Sequence, residues 1–191
     1  YSVTDLSAVQ EWYEAVLAEM TFHGDFASAF DTVYIGGGTP SCLPAGLLPD
    51  LLRRIRSALP VSADAEITVE VNPGDVDLDT LVGLREAGFN RVSIGVQSFD
   101  DGILSFLGRR HGGRGALHAI DAARRAGFTN LSMDLIYGVP GQSRQLWRRT
   151  LETALTFEPE HLSCYELTLE RGTPLHRRVE AGQAPALPAE E

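Results

Sequence analysis

The chain alternates between short apolar runs of strand character and longer segments in which apolar residues recur at helical spacing. The first of these segments, residues 5–20, predicts an amphipathic helix, because its apolar residues fall on one stripe. The residues of that stripe are Leu6, Val9, Trp12 and Val16. Helix and strand then follow each other to residue 182, and no linker or low-complexity segment interrupts them.

Five apolar runs bounded by turn residues predict strands, and a helical pattern follows each of them. The predicted strands cover residues 32–35, 66–71, 91–96, 131–136 and 161–169. The helical patterns after them cover residues 47–59, 77–88, 100–107, 114–127, 144–157 and 175–182. A repeated β–α unit of about 30 residues indicates parallel strands joined by crossover helices, as in a doubly wound sheet or a (β/α) barrel.

The two faces of the predicted strands differ in polarity. Side chains alternate between the faces, so Val92, Ile94 and Val96 share one face, with Ser93 on the other. The predicted strands at 66–71, 131–136 and 161–169 repeat this division into an apolar face and a small or polar face. A sheet covered by helices on both sides would be apolar on both faces. The pattern therefore favours a partial (β/α) barrel whose inner face lines a ligand space, and the alternative is a sheet with one solvated face.

Polar residues gather where the predicted strands end. They are Gly36 to Thr39, Glu70, Asn72, Gln97, Asp134 and Tyr165. In parallel α/β folds the carboxyl ends of the strands form the active face, so these residues form one candidate site. Asp134 lies between apolar neighbours and needs a partner or a ligand. Arg109 is a candidate partner, unless it is an ordinary surface arginine.

The run GGGTP at residues 36–40 matches neither nucleotide-binding glycine fingerprint. Consecutive glycines after a strand leave backbone groups open to a close ligand, although a tight turn would also account for them.

Composition excludes several classes of function. The formal net charge of −10 disfavours nucleic acid and anionic membranes as partners, and no apolar run is long enough to predict a membrane span. All 16 basic residues are arginine, so no lysine is present for a Schiff base or a phosphate loop. The two cysteines, Cys42 and Cys164, are far apart, which fits a reducing, cytoplasmic setting and predicts no metal site within the chain.

Six segments in fixed order resemble the radical SAM proteins of the oxygen-independent coproporphyrinogen III oxidase group. They are YIGGGTPS, EITVEVNP, RVSIGVQSF, LGRRH, MDLIYGVPGQ and HLSCYELTLERGTPL. The resemblance covers residues 32–182, and LGRRH, YGVPGQ and CYELTLERGTPL resemble the heme chaperone (HemW-type) branch more than the decarboxylating oxidase.

The resemblance implies a partial (β/α) barrel that binds S-adenosylmethionine beside a [4Fe-4S] cluster. By matching motifs, the glycine run would meet the methionine amino group, and residues 165–168 would wall the adenine side. The cofactor-binding residues implied in this way are Gly37, Gly38, Thr39, Glu70, Gln97, Arg109 and Asp134. Glu70 and Gln97 would hold the ribose or methionine end, and Asp134 is a further ribose contact. No catalytic residue and no metal ligand is assigned.

One departure from the family pattern is large, because the chain contains no C-x-x-x-C-x-x-C segment. The three cysteines of that segment would hold the cluster, so we expect its ligands to lie outside this chain, ahead of residue 5. We accordingly expect residues 1–182 to be a barrel core without its first strand and cysteine loop. Residues 183–191 would begin a linker to a further domain.

Three functional hypotheses follow. The first is a heme chaperone that binds S-adenosylmethionine and a cluster in the parent protein and delivers heme to an acceptor protein. The second is the oxidase, which would decarboxylate a porphyrinogen by radical chemistry. The third is a barrel enzyme without a cluster, using Glu70 and Asp134 with a divalent metal, although no histidine is well placed as its base.

Overall fold

The computed structural model describes residues 5–23 and 27–185. The strands are β1 (Phe30–Ile35), β2 (Val61–Val71), β3 (Arg91–Gln97), β4 (Asn130–Tyr137) and β5 (His161–Glu166). The helices are α1 (Leu6–Met20), α2 (Leu47–Ala58), α3 (Leu78–Ala87), α4 (Asp101–Phe106), α5 (Gly113–Arg125), α6 (Arg144–Leu155) and α7 (Pro174–Glu180). Every predicted strand and helix is present, although β2 begins five residues earlier than the apolar run indicated and β5 ends three residues sooner.

The five strands form one parallel sheet whose spatial order, β1-β2-β3-β4-β5, is also their order in the chain. At least one helix separates each strand from the next. Such a sheet curves into half of a (β/α) barrel, as the sequence predicted.

The core lies between the outer face of the sheet and the helices. Every second residue of the central strands points into it. The large apolar residues that β2, β3 and β4 bury there are Ile67, Val69, Val71, Val92, Ile94, Val96, Leu131, Met133 and Leu135. Among the described residues, Phe89 and Phe128, which precede β3 and β4, are the largest fully buried side chains. Burial of this apolar layer is the main source of stability.

The inner face of the sheet carries the polar residues, as the alternation predicted. In the strand register Glu70 lies opposite Ser93, Ser93 opposite Ser132, and Asp134 opposite Ser163. Ser93 and Ser132 are almost completely buried, so this face is not a solvated surface.

Charged and polar side chains close the amino-terminal end of the inner face. The Arg91 guanidinium donates a hydrogen bond to Thr68 Oγ1 at 3.2 Å and lies 3.9 Å from a carboxylate oxygen of Glu66. The Asn130 side chain donates to the other Glu66 oxygen at 3.2 Å. These contacts fill the inner face at the amino-terminal ends of the strands.

Helix α1 packs less regularly than its apolar stripe predicted. Val9 is buried, whereas Trp12 is 42% exposed, and Tyr13 is buried in its place. Tyr13 turns inward because its hydroxyl donates a hydrogen bond to Asp50 of α2. The side chain of Leu6, which the stripe also included, lies outside the described residues. Within the part of the chain that the structure describes, no helix is both long and apolar enough to cross a bilayer.

Candidate functional site

A polar cavity of about 240 Å³ lies at the carboxyl ends of the strands. It contains six of the seven residues that the sequence singled out: Gly38, Thr39, Glu70, Gln97, Arg109 and Asp134. Val71, Asn72, Ser93, Gly95, Pro40 and Tyr165 complete its wall. The seventh residue, Gly37, lines an adjoining cavity of about 210 Å³ between the glycine run and α1. The structure thus brings together residues that are up to 127 positions apart in the chain, from Gly38 to Tyr165.

Glu70 is held at the edge of the cavity by two donors from the end of β1. The Tyr34 hydroxyl donates to Oε1 at 2.5 Å, and the Gly37 backbone N–H donates to Oε2 at 3.1 Å. Burial, and then the Glu70 carboxylate, raise the pKa of Tyr34 well above its usual range, so this hydroxyl keeps its proton. A Cβ on Gly36 would lie 2.4 Å from the Tyr34 ring and 2.8 Å from the Glu70 carboxyl carbon. The first glycine of the run is therefore required for close packing.

Gln97 reaches the cavity through an irregularity in β3. The pairing of β3 with β4 shifts between Ile94 and Gln97, and Gln97 has a φ of 64°, in the left-handed region that favours glycine. Beneath it, a Cβ on Gly95 would lie 3.0 Å from the Gln97 amide nitrogen and 3.2 Å from the Asn72 side-chain oxygen. A bulge of this kind redirects a side chain, and here it directs Gln97 into the cavity.

Asp134 lies on the inner face with hydroxyl donors from both neighbouring strands. Ser93 Oγ lies 3.3 Å from one carboxylate oxygen of Asp134. Burial raises the pKa of Asp134 above its usual value, and the nearby Glu70 charge adds to that effect. Hydrogen bonds from Ser163 and Ser93 oppose it. A cation in the cavity would stabilise the ionised form of this carboxyl group.

Arg109 contributes the positive charge of the cavity. Burial lowers the pKa of its guanidinium, and the Asp134 charge opposes this shift. The sequence suggested a pair between these two side chains, but in the described part of the chain the Arg109 guanidinium forms no hydrogen bond and no ion pair. Arg109 therefore has free donors for an anionic group of a ligand.

Tyr34 and Ser163 are the site residues that sequence reasoning missed. The alternation of β1 contained a signal for Tyr34, because Tyr34 points to the face opposite Val33 and Ile35, the face that carries Glu70. Of residues 165–168, which the sequence assigned to an adenine wall, Tyr165 lines the cavity.

The cysteines do not form a metal site. Both Cys42 and Cys164 are free, and Cys42 lies beside Asp75 rather than beside Cys164. Among residues 5–23 and 27–185 no group of three histidine, cysteine, aspartate or glutamate side chains could hold a metal ion.

Comparison with known proteins identifies the family. Residues 11–154 match the radical SAM superfamily. The heme chaperone HemW of Synechocystis is 38% identical over 182 residues, which are 95% of this chain and 44% of the relative. The heme chaperone HemW of Escherichia coli is 46% identical over 142 residues, which are 74% of this chain and 38% of the relative. The chain thus spans less than half the length of these curated relatives.

The fold agrees with this assignment. The structure of coproporphyrinogen III oxidase (HemN) from Escherichia coli, a radical SAM enzyme, superposes with a TM-score of 0.81 at 31% identity. The superposition covers 97% of this chain and 44% of that protein. The strand-end cavity therefore belongs to a known type of half-barrel, and the chain is a member of the radical SAM superfamily, in its HemW-type branch.

Proposed function

We propose that this chain is the barrel core of a heme chaperone, and that its strand-end cavity binds S-adenosylmethionine. In the parent protein a [4Fe-4S] cluster would lie beside that cavity, and heme would pass to an acceptor protein. Support for the chaperone comes from the relatives, which carry that name at 38–46% identity. The free cysteines Cys42 and Cys164 fit a reducing compartment such as the cytoplasm.

The observation that carries the proposal is the charge pattern of the cavity. Two carboxylates, Glu70 and Asp134, share the cavity with one guanidinium, Arg109. S-adenosylmethionine has the opposite pattern, with two cationic groups, the ammonium and the sulfonium, and one carboxylate. Such complementarity favours this ligand over a nucleotide, whose phosphates would meet two carboxylates.

The chain's residues suit separate parts of that ligand. The ammonium can donate hydrogen bonds to the Glu70 carboxylate, the Thr39 hydroxyl and the backbone carbonyls of the glycine run. Asp134 and Gln97 can bind the ribose hydroxyls, and Arg109 can bind the carboxylate. Tyr165 offers an aromatic face for the adenine.

The iron–sulfur cluster does not fit the residues described here, because they lack three thiolates at cluster spacing. Its ligands would come from outside this chain. When bound, the cluster supplies the electron for reductive cleavage of S-adenosylmethionine, and the residues of this chain orient the ligand and exclude water from it.

The alternative function is oxidative decarboxylation of coproporphyrinogen III. The structural likeness to HemN at 31% identity favours it enough to be tested. Purified full-length protein, prepared without oxygen, should bind heme with a shift of the Soret band and should leave coproporphyrinogen III unchanged. Turnover of the porphyrinogen would replace the chaperone proposal with the oxidase.

Binding of S-adenosylmethionine can be tested by calorimetry on the same protein. We expect Glu70→Gln, Asp134→Asn and Arg109→Gln each to weaken binding by about tenfold or more. The matched control is Glu152→Gln, because Glu152 is exposed on α6, where it pairs with Arg148. Equal affinity in all variants would exclude this cavity as the ligand site.

A further inference from the structure

We propose that Asp75 is a positioning residue that fastens together three loops at the carboxyl end of the sheet. Asp75 lies between β2 and α3 and is not part of the cavity wall. Its carboxylate contacts the loop after β1, the loop after β2 and the loop between α4 and α5. The inference rests on the proposed function, because these loops present Thr39, Asn72 and Arg109 to the ligand cavity.

One carboxylate oxygen joins the first two loops. Asp75 Oδ2 lies 3.1 Å from Cys42 Sγ, 3.3 Å from the Asn72 amide nitrogen and 3.4 Å from Ser41 Oγ. All three groups can donate a hydrogen bond. Burial, and then the Asp75 carboxylate, raise the pKa of the Cys42 thiol, so this thiol stays protonated and remains a donor.

The other oxygen holds the third loop. Arg110 Nη2 donates to Asp75 Oδ1 at 2.7 Å and also lies 3.7 Å from Cys42 Sγ. The Asp75 side chain is only 10% exposed, whereas that of Arg110 is 73% exposed. Because Arg110 directly follows Arg109, this ion pair fixes the backbone that places the Arg109 guanidinium at the cavity.

A second series of hydrogen bonds links Asp75 to the glycine run through Asn72. The Asn72 amide group donates both to Asp75 Oδ2 at 3.3 Å and to Thr39 Oγ1 at 3.2 Å. The Asn72 backbone N–H donates to Ser41 Oγ at 3.0 Å. Asp75 thus orients Thr39 through one intermediate side chain and Arg109 through its sequence neighbour.

A carboxylate is the side chain that this position requires. Four donors converge on its two oxygens, and an ionised carboxylate accepts at both of them. The amide of Asp75→Asn has one acceptor oxygen and would turn its own N–H groups towards donors. We therefore expect the isosteric Asp75→Asn to release one side of the network without leaving a void.

The first experiment measures the network without any ligand. In full-length protein, peptide-resolved alkylation by iodoacetamide gives separate rates for Cys42 and Cys164 across pH. We expect Asp75→Asn to raise the high-pH plateau rate of Cys42 by about tenfold, because the loops open more often. The rate of the exposed Cys164 should not change, and neither should either rate in Asp121→Asn, whose exposed side chain pairs with Arg125 on α5.

The pH profile separates positioning from a simple change in thiol acidity. Loss of the Asp75 charge alone would move the midpoint of the Cys42 profile to lower pH and leave its plateau unchanged. That result would overturn the proposal. A raised Cys164 rate would indicate general loosening of the fold and would also contradict it.

The second experiment measures the effect on the cavity. We expect Asp75→Asn to weaken S-adenosylmethionine binding about tenfold, Cys42→Ser to retain affinity within about twofold, and Arg110→Gln to add nothing to Asp75→Asn in the double variant. Arg110 is largely exposed, so Arg110→Gln should leave the fold intact. Full additivity of the two changes would show that Asp75 does not act through Arg110.

The two experiments distinguish failure of this inference from failure of the proposed function. If the unaltered protein does not bind S-adenosylmethionine, the proposed function fails, and the alkylation rates still decide whether Asp75 fastens the loops. If the protein binds the ligand and Asp75→Asn binds it equally well, the proposed function stands and the inference about Asp75 fails.

Discussion

Gln97 combines a strained backbone conformation with a side chain that lines the ligand cavity. Its left-handed backbone costs a non-glycine residue about 1–3 kcal/mol, and its side chain is 7% exposed at the cavity wall. The surrounding strands must supply that free energy. Such strain at a ligand cavity indicates that the direction of the side chain matters more than local stability.

Two substitutions separate the strain from the contact. Both Gln97→Ala and Gln97→Gly remove the amide, so we expect both to weaken S-adenosylmethionine binding by a similar factor. Gly tolerates φ of 64°, and Gln97→Gly should therefore be more stable to urea than Gln97→Ala by about 1 kcal/mol. A more stable Ala variant would show that the backbone at this position is not strained.

The carboxyl group of Asp134 makes stability depend on pH. Its pKa is raised in the folded chain, so the folded chain holds this proton to higher pH than the unfolded chain does. The contribution to stability is therefore complete below the unfolded pKa, about 3.9, and is lost as pH rises through the folded value. We expect Asp134→Asn to raise the melting temperature at pH 7 and not at pH 3, while it weakens ligand binding. Calorimetric melting at both pH values tests this, and equal shifts would contradict it.

Alanine substitutions at Gly36 and Gly83 test the close packing around Glu70, with Gly83 as the control. A Cβ on Gly36 would meet Tyr34 and Glu70 below 3.0 Å, whereas a Cβ on Gly83, exposed in α3, would meet nothing within 4 Å. We expect Gly36→Ala to destabilise the chain by about 1–3 kcal/mol and to displace Glu70. Gly83→Ala should stabilise it by about 0.5–1 kcal/mol, as in any exposed helix. Urea unfolding measures both, and equal changes would contradict the packing argument.

At the scale of strands and helices, the sequence predicted the features that depend on the local order of apolar and polar residues. Apolar runs predicted all five strands, and alternation predicted the polar faces of β2 to β5, because the pleat requires it whatever the partners are. The shift between β3 and β4 was not predictable, because pairing between strands determines it. The inward turn of Tyr13 likewise depends on Asp50, which is 37 residues away in α2. The site residues came together as expected, but their hydrogen-bond partners could not be read from one strand at a time.

Helix α4 is short, and its first turn depends on one cap. The Asp100 carboxylate accepts a hydrogen bond from the Ile103 N–H at 3.0 Å. We expect Asp100→Ala to cost about 1 kcal/mol and to loosen the following loop, which carries Arg109 and Arg110. Asp100→Ser should retain most of the stability. Urea unfolding and ligand titration of the two variants measure both effects, and an equal loss in the Ser variant would exclude capping as the cause.

At the scale of the whole molecule, the strands of the sheet differ in how well pairing protects their amide hydrogens from exchange with solvent. Within the described part of the chain, β1 and β5 each pair along one side only, whereas β2, β3 and β4 pair along both. Most residues of β5 are exposed. We expect amide hydrogens of the three central strands to exchange more slowly than those of β1 and β5 by roughly tenfold or more. Exchange followed by mass spectrometry tests this, and equal protection across all five strands would contradict it.

The strand order also bears on how the chain is made. Because spatial order equals chain order, each new strand docks on the one synthesised just before it, and no strand waits for a distant partner. The fold can therefore assemble in the direction of translation, one β–α unit at a time, as the chain leaves the ribosome. On such a route the cavity is completed only when Tyr165 of the last strand arrives, so ligand binding would follow the synthesis of β5.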